Sequence, residues 1–149
     1  MKNSFKIGFL LLVLSGFAQE KNTQNVYFDL DSNQLRENQK DLLCDFFQKI
    51  DTSQIKSVAV FGYCDDRGSA SYNYNLSDRR VSTVENILLK IGLHPKKLIA
   101  LEGKGRVLVN KDTVPDLDQT RSKNRRVEIV MEILVPTGFF MGIPRLFSG

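Results

Sequence analysis

Val81, Val84, Ile87, Leu88 and Ile91 recur at helical spacing, and the pattern halts at Gly92 with Pro95 three residues further on. An apolar stripe of this width has to be covered by another element, and glycine followed by proline is a helix stop signal. The spacing predicts a helix that opens near Ser77 and packs on a sheet. A second periodic stretch, residues 34–50, places Leu35, Leu42, Leu43, Phe46 and Ile50 on one face, with Cys44 on the other and Ser32 or Asn33 as candidate N-cap.

Strand-forming runs flank these helices. Val26-Tyr27-Phe28 is a short β-favouring run, residues 56–61 form a compact apolar run, and residues 98–101 form a third. Val127, Ile129, Met131 and Ile133 alternate with Arg126, Glu128, Val130 and Glu132, the pattern of a half-buried strand over 126–134. The segment 103–123 carries two glycines, one proline and many polar residues, and reads as a long loop with at most a helical turn. The order β-α-β-α-β-loop-β predicts an α/β (α+β) fold, a mixed sheet with parallel β-α-β units and helices packed on it.

The ends have a different character. Lys2 and Lys6 precede an apolar run from Ile7 to Leu14 and small residues Gly16 and Ala18, the layout of a secretory signal peptide cut after about Ala18. That run is shorter than the ~20 residues needed to span a bilayer. The expected organisation is a signal peptide over 1–18, one binding domain over 19–134, and an apolar tail over 135–149 broken by Pro136 and Pro144. Without Lys2 and Lys6, 19 basic side chains face 17 acidic ones, so the net charge falls from +4 to +2. No dense basic tract interleaved with aromatics is present, and export argues further against a nucleic-acid partner. Cys44 and Cys64 would reach an oxidising compartment, which by itself does not pair them.

Few residues could carry chemistry. Asp29-Leu30-Asp31-Ser32-Asn33 resembles the start of a calcium loop, but Gln34 stands where such a loop needs glycine and Lys40 where it needs glutamate. No metal site and no cofactor is expected. His94, the single histidine, sits in the turn after the second helix. No set of nucleophile, base and orienting group can be assembled, so the chain is expected not to be an enzyme.

The densest polar segment runs from Phe61 through Asp65 and Gly68 to Arg80. With Ser77 as N-cap, Arg80 would fall in a first helical turn, where the dipole favours an anionic ligand. Asp65, at the end of the neighbouring strand, would supply the opposite charge, and the two together suit a zwitterion. On residue chemistry alone an ordinary Asp65–Arg80 ion pair, or a solvated arginine face, is the more economical reading.

Four motifs in order alter that balance. Val26-Tyr27-Phe28-Asp29-Leu30-Asp31-Ser32, Gly62-Tyr63-Cys64-Asp65-Asp66-Arg67-Gly68, Tyr72-Asn73 with Leu76-Ser77-Asp78-Arg79-Arg80-Val81, and Asn124-Arg125-Arg126-Val127-Glu128 are together similar to the OmpA-like peptidoglycan-binding domain family. The resemblance covers about residues 25 to 133. It implies a noncatalytic module that anchors to the cell wall by gripping diaminopimelate in a peptidoglycan stem peptide. By this likeness Asp65 takes the ammonium and Arg80 the carboxylate, while Asn73, Leu76, Phe28, Asp29, Asp31 and Cys64 line the pocket and Arg125 and Arg126 tie the last strand to the loops. The expected location is the periplasm, with outer-membrane association. Tyr63 and Cys64 depart from the family's loop, which has His and Thr there. The alternative is a protein-interaction module of an outer-membrane or secretion complex that docks through the apolar tail.

Overall fold

The alternation at 126–134 becomes the central strand of the molecule, because one face of that strand has to lie against the helices while the other meets solvent. The computed structural model describes residues 17–136. They form β1 (Phe17–Tyr27), α1 (Glu37–Gln48), β2 (Ile55–Cys64), α2 (Ala70–Lys90), β3 (Leu98–Arg106), α3 (Leu117–Asn124) and β4 (Arg126–Pro136). The sheet order is β1-β4-β2-β3. β2 and β3 run parallel, and β4 lies antiparallel to both β1 and β2. Both β-α-β units are therefore parallel, the first one split by the insertion of β4.

The core lies between the helices and one face of the sheet. Val127, Ile129 and Met131 of β4 are fully buried, as are Val58 and Val60 of β2, and they meet Val84 and Leu88 of α2 and Leu43 of α1. The stripe on α2 thus finds the surface it needs. His94 sits in the turn after α2, where its Nδ1 accepts the Lys96 N–H at 3.2 Å.

Several expectations need correction. α2 starts at Ala70, not near Ser77, and its N-cap is Ser69, whose side chain accepts the Tyr72 N–H. The first two turns of α2 are mostly polar, so apolar periodicity places the start too late. α1 is shorter than 34–50, and its N-cap position, Arg36, makes no side-chain cap bond. On α1 the core residues are Leu43 and Phe47, while Leu42 is 54% exposed. β3 continues to Arg106, and the expected loop 103–123 contains α3, capped by Asp116, which accepts the Gln119 N–H at 2.8 Å. α3 buries no residue, which is why it has no apolar signature.

β1 is longer than Val26-Tyr27-Phe28. Its polar first half is held by the ladder to β4, from Phe17 opposite Pro136 to Tyr27 opposite Arg126. The expected cleavage after Ala18 falls inside this strand, while residues 1–16 of the expected signal peptide and residues 137–149 of the apolar tail lie outside the described residues. Cys44 and Cys64 are both free thiols, the second one buried.

Candidate functional site

A cleft of about 570 Å³ opens at the carboxyl end of β2, between the loop after β1, the loop leading into α2, and Arg125 at the entry to β4. Its size is that of a small-molecule site. Asp65, Arg80, Asn73, Leu76, Asp31 and Cys64 line it, together with Leu30, Arg67, Gly68, Ser69, Tyr72 and Arg125. Six of the eight residues expected to contact a ligand are thereby brought together. Phe28 and Asp29 stand behind the wall: the Phe28 ring lies 5.0 Å from the Arg80 guanidinium carbon, and the Asp29 carbonyl accepts Arg80 Nη2 at 3.0 Å.

Asp65 ends a strand and starts a turn. Its Oδ1 accepts the Arg67 backbone N–H at 3.1 Å, closing an Asx-turn, and also Arg67 Nε at 3.1 Å. Its Oδ2 accepts Arg67 Nη2 at 2.6 Å and Arg125 Nη1 at 3.1 Å. Burial pushes this carboxyl up, but the bonds from Arg67 and Arg125 outweigh it and hold the pKa down to about 2. Asp65 is therefore a permanent anion with 4% of its surface exposed.

Arg80 is placed differently from expectation. It lies deep in α2, far from the first turn, so the helix dipole does not explain it. It is fully buried, and burial pushes its pKa down from the ordinary guanidinium value. Backbone dipoles replace the lost water: Nε donates to Ser32 O at 2.8 Å, Nη1 to Tyr63 O at 2.9 Å, and Nη2 to Asp29 O. Nη1 also points at Cys64 Sγ, 3.4 Å away. A guanidinium has five N–H groups, and these four acceptors leave one over among the described residues. The arrangement leaves a buried guanidinium at the cleft wall with one N–H able to donate to an anion. The partners of Asp65 are Arg67 and Arg125, so Asp65 and Arg80 are not consumed by pairing with each other.

The remaining wall is built around this pair. Asn73 Nδ2 donates to Arg67 O at 2.6 Å and Ser69 O at 3.0 Å, fixing the loop in which Gly68 takes a φ of +83°. Asp31 adopts a left-handed φ of 55°, which Asp tolerates better than most residues, and its carboxylate accepts the Tyr72 hydroxyl. Cys64 donates to Asn73 O at 3.4 Å, and burial raises its thiol pKa, consistent with the protonated donor. Tyr63 leaves the cleft altogether: its ring sits 4.3 Å from the Arg126 guanidinium carbon, and only its carbonyl serves the site. Of the two departures from the family's loop, Cys64 alone lines the cleft.

Leu30, Arg67 and Tyr72 line the cleft although no role is expected for them from the sequence, and Arg125 is expected only to tie the last strand to the loops. Arg125 does tie, donating Nε to Phe28 O at 3.2 Å, and it also faces the cleft. The signal for Arg67 was present as the Asp-x-Arg-Gly spacing, since an Asx-turn brings the i+2 side chain back over the carboxylate. Ser77 is no cap. It is buried, donates to Tyr74 O at 2.8 Å and accepts the Gly105 N–H at 2.9 Å, tying α2 to β3.

Among curated proteins, the chain is 30% identical over 105 residues to outer membrane protein A of Bordetella avium, covering 70% of this chain and 53% of that protein. It is 30% identical over 117 residues to the peptidoglycan-associated lipoprotein of Pseudomonas aeruginosa, covering 78% and 67% respectively. The chain thus spans about half the length of the first of these relatives. The crystal structure of the peptidoglycan-associated lipoprotein from Burkholderia pseudomallei superposes with a TM-score of 0.59 at 25% identity, over 72% of this chain and 88% of that one. The fold, the order of the motifs and a match of residues 27–125 to the family's sequence model converge: the chain belongs to the OmpA family.

Proposed function

We propose that the cleft binds the peptide stem of bacterial peptidoglycan noncovalently, with Asp65 facing the ammonium and Arg80 the carboxylate of a diaminopimelate end. The observation that carries this reading is the convergence of a buried anion and a buried cation, each oriented by hydrogen bonds within the chain, on one open cleft. A ligand carrying both charges on one carbon satisfies both at once. The relatives named peptidoglycan-associated lipoproteins support the ligand class, and with outer membrane protein A they support a place in the cell envelope, in the periplasm. Family membership supports an anchoring module, and no reaction is assigned to it.

The test is sedimentation of the full chain with purified sacculi, with free meso-diaminopimelate as competitor. The wild-type chain should co-sediment and be released by diaminopimelate, and Asp65→Asn and Arg80→Lys should bind at least about tenfold more weakly. Undiminished binding by both variants would sink the assignment.

A further inference from the structure

The cleft poses a difficulty for any incoming ammonium, because the Asp65 carboxylate has no free position. A carboxylate offers about four acceptor sites, and four N–H contacts fill them, three from Arg67 and one from Arg125. One donor has to leave before a ligand can take its place.

The donors are not equally held. The Arg125 side chain is 16% exposed and is also anchored through Nε to Phe28 O. The Arg67 backbone N–H is part of the turn itself. The Arg67 guanidinium is different: it is 41% exposed, and Asp65 is its hydrogen-bond acceptor among the described residues. Such a group can rotate outward at the least cost, while the turn and Arg125 keep the carboxylate aimed.

We propose that Arg67 is an exchangeable counterion that selects for ligands carrying a carboxylate beside their ammonium: it yields Asp65 to the ammonium and re-pairs with the ligand's carboxylate. The inference rests on the zwitterion reading above and adds to it a residue that sets specificity. Arg67 lines the same cleft as Arg80, so a displaced guanidinium remains beside the ligand. With an amino acid end, one bidentate ion pair is exchanged for another and the arginine keeps a partner. With a plain amine, the Asp65 pair is broken and nothing replaces it. The same covering stabilises the buried anion: burial alone would push the Asp65 carboxyl up, and the Arg67 bonds lead the opposing effects.

The experiment compares meso-diaminopimelate with 1,5-diaminopentane, which keeps both amines and lacks both carboxylates. Calorimetric titration of the full chain should show wild type preferring diaminopimelate. In Arg67→Gln the carboxylate of Asp65 is uncovered, so diaminopentane should bind more tightly while diaminopimelate does not. The ratio of the two affinities should narrow roughly two- to fivefold, the range expected from losing one partly exposed ion pair. Arg67→Lys keeps the charge without the planar fork and should fall between the two, and both substitutions lie at a solvent-facing position that the core does not need. A ratio in both variants equal to that of wild type, with diaminopimelate and sacculi still bound, would overturn the exchange and leave the function standing. Wild type that binds neither sacculi nor diaminopimelate would overturn the function and the exchange together.

Discussion

Gly62 and Ser77 approach so closely that a Cβ on the glycine would lie 2.3 Å from the Ser77 carbonyl oxygen. The obstacle is backbone of α2, which cannot rotate aside as a side chain could. Gly103, one strand over and paired with Gly62, is equally crowded, its Cβ position 2.6 Å from the Asp78 N. The two glycines let α2 settle onto β2 and β3, and Ser77 and Asp78 then receive the Gly105 and Gly103 N–H groups. Gly62→Ala should therefore destabilise the chain by about 1–3 kcal/mol, the usual range for overpacking. Urea unfolding measures it, and wild-type stability in the variant would contradict this close packing.

Arg80 supports the fold as well as the cleft. Its guanidinium satisfies the carbonyls of Asp29, Ser32 and Tyr63, which belong to two separate segments. Arg80→Ala leaves those acceptors in a buried place and should cost about 3 kcal/mol or more. Arg80→Lys retains the charge and cannot span all three carbonyls, so it should be less destabilising than Ala and still impair binding. Thermal unfolding of the two variants beside wild type separates these effects.

Asp65 gives the stability a definite acid limb. Its carboxyl has a pKa of about 2 in the folded chain against 3.8 for the free group. Between those values the unfolded chain binds more protons than the folded one, so the contribution of Asp65 is fully present, and independent of pH, above about pH 5 and is lost as the pH drops through roughly 4 toward 2. The contribution at neutral pH is roughly 2 kcal/mol. Asp65→Asn should flatten that limb in urea titrations taken from pH 6 down to 2. Binding of sacculi by wild type should survive down to about pH 4, because the anion persists there.

The two cysteines should differ in reactivity. Cys64 is buried and its thiol is pushed toward the protonated form by burial, whereas Cys44 is half-buried on α1. An aromatic disulfide reagent should modify one thiol in the native chain and two in denaturant. Mass mapping should place the native label on Cys44, and rapid native labelling of Cys64 would contradict the enclosed wall.

Much of the fold was legible because its signals are apolar. The alternation from Val127 to Ile133 and the stripe from Val81 to Ile91 mark burial, and burial is what the structure shows at most of these positions. The polar first half of β1, the first turns of α2 and the whole of α3 escaped, since backbone pairing and capping bonds hold them. The cleft was legible in part through a different signal. Asp65 and Arg80 stand within recognisable motifs, whereas the positions that Arg67 and Arg125 take around Asp65 follow from a turn and from the entry of a distant strand.

The ladder that sets Phe17 opposite Pro136 and Tyr27 opposite Arg126 also has a mechanical meaning. The cleft lies at the Tyr27–Arg126 end of the sheet, and the described chain enters and leaves at the other end, about 30 Å away at the rise of an eleven-residue strand. A pull between a cell wall held in the cleft and chain attached at either terminus would run along the strands, across their hydrogen bonds. Those bonds would be loaded in shear and share the force, instead of opening one after another as in a zipper.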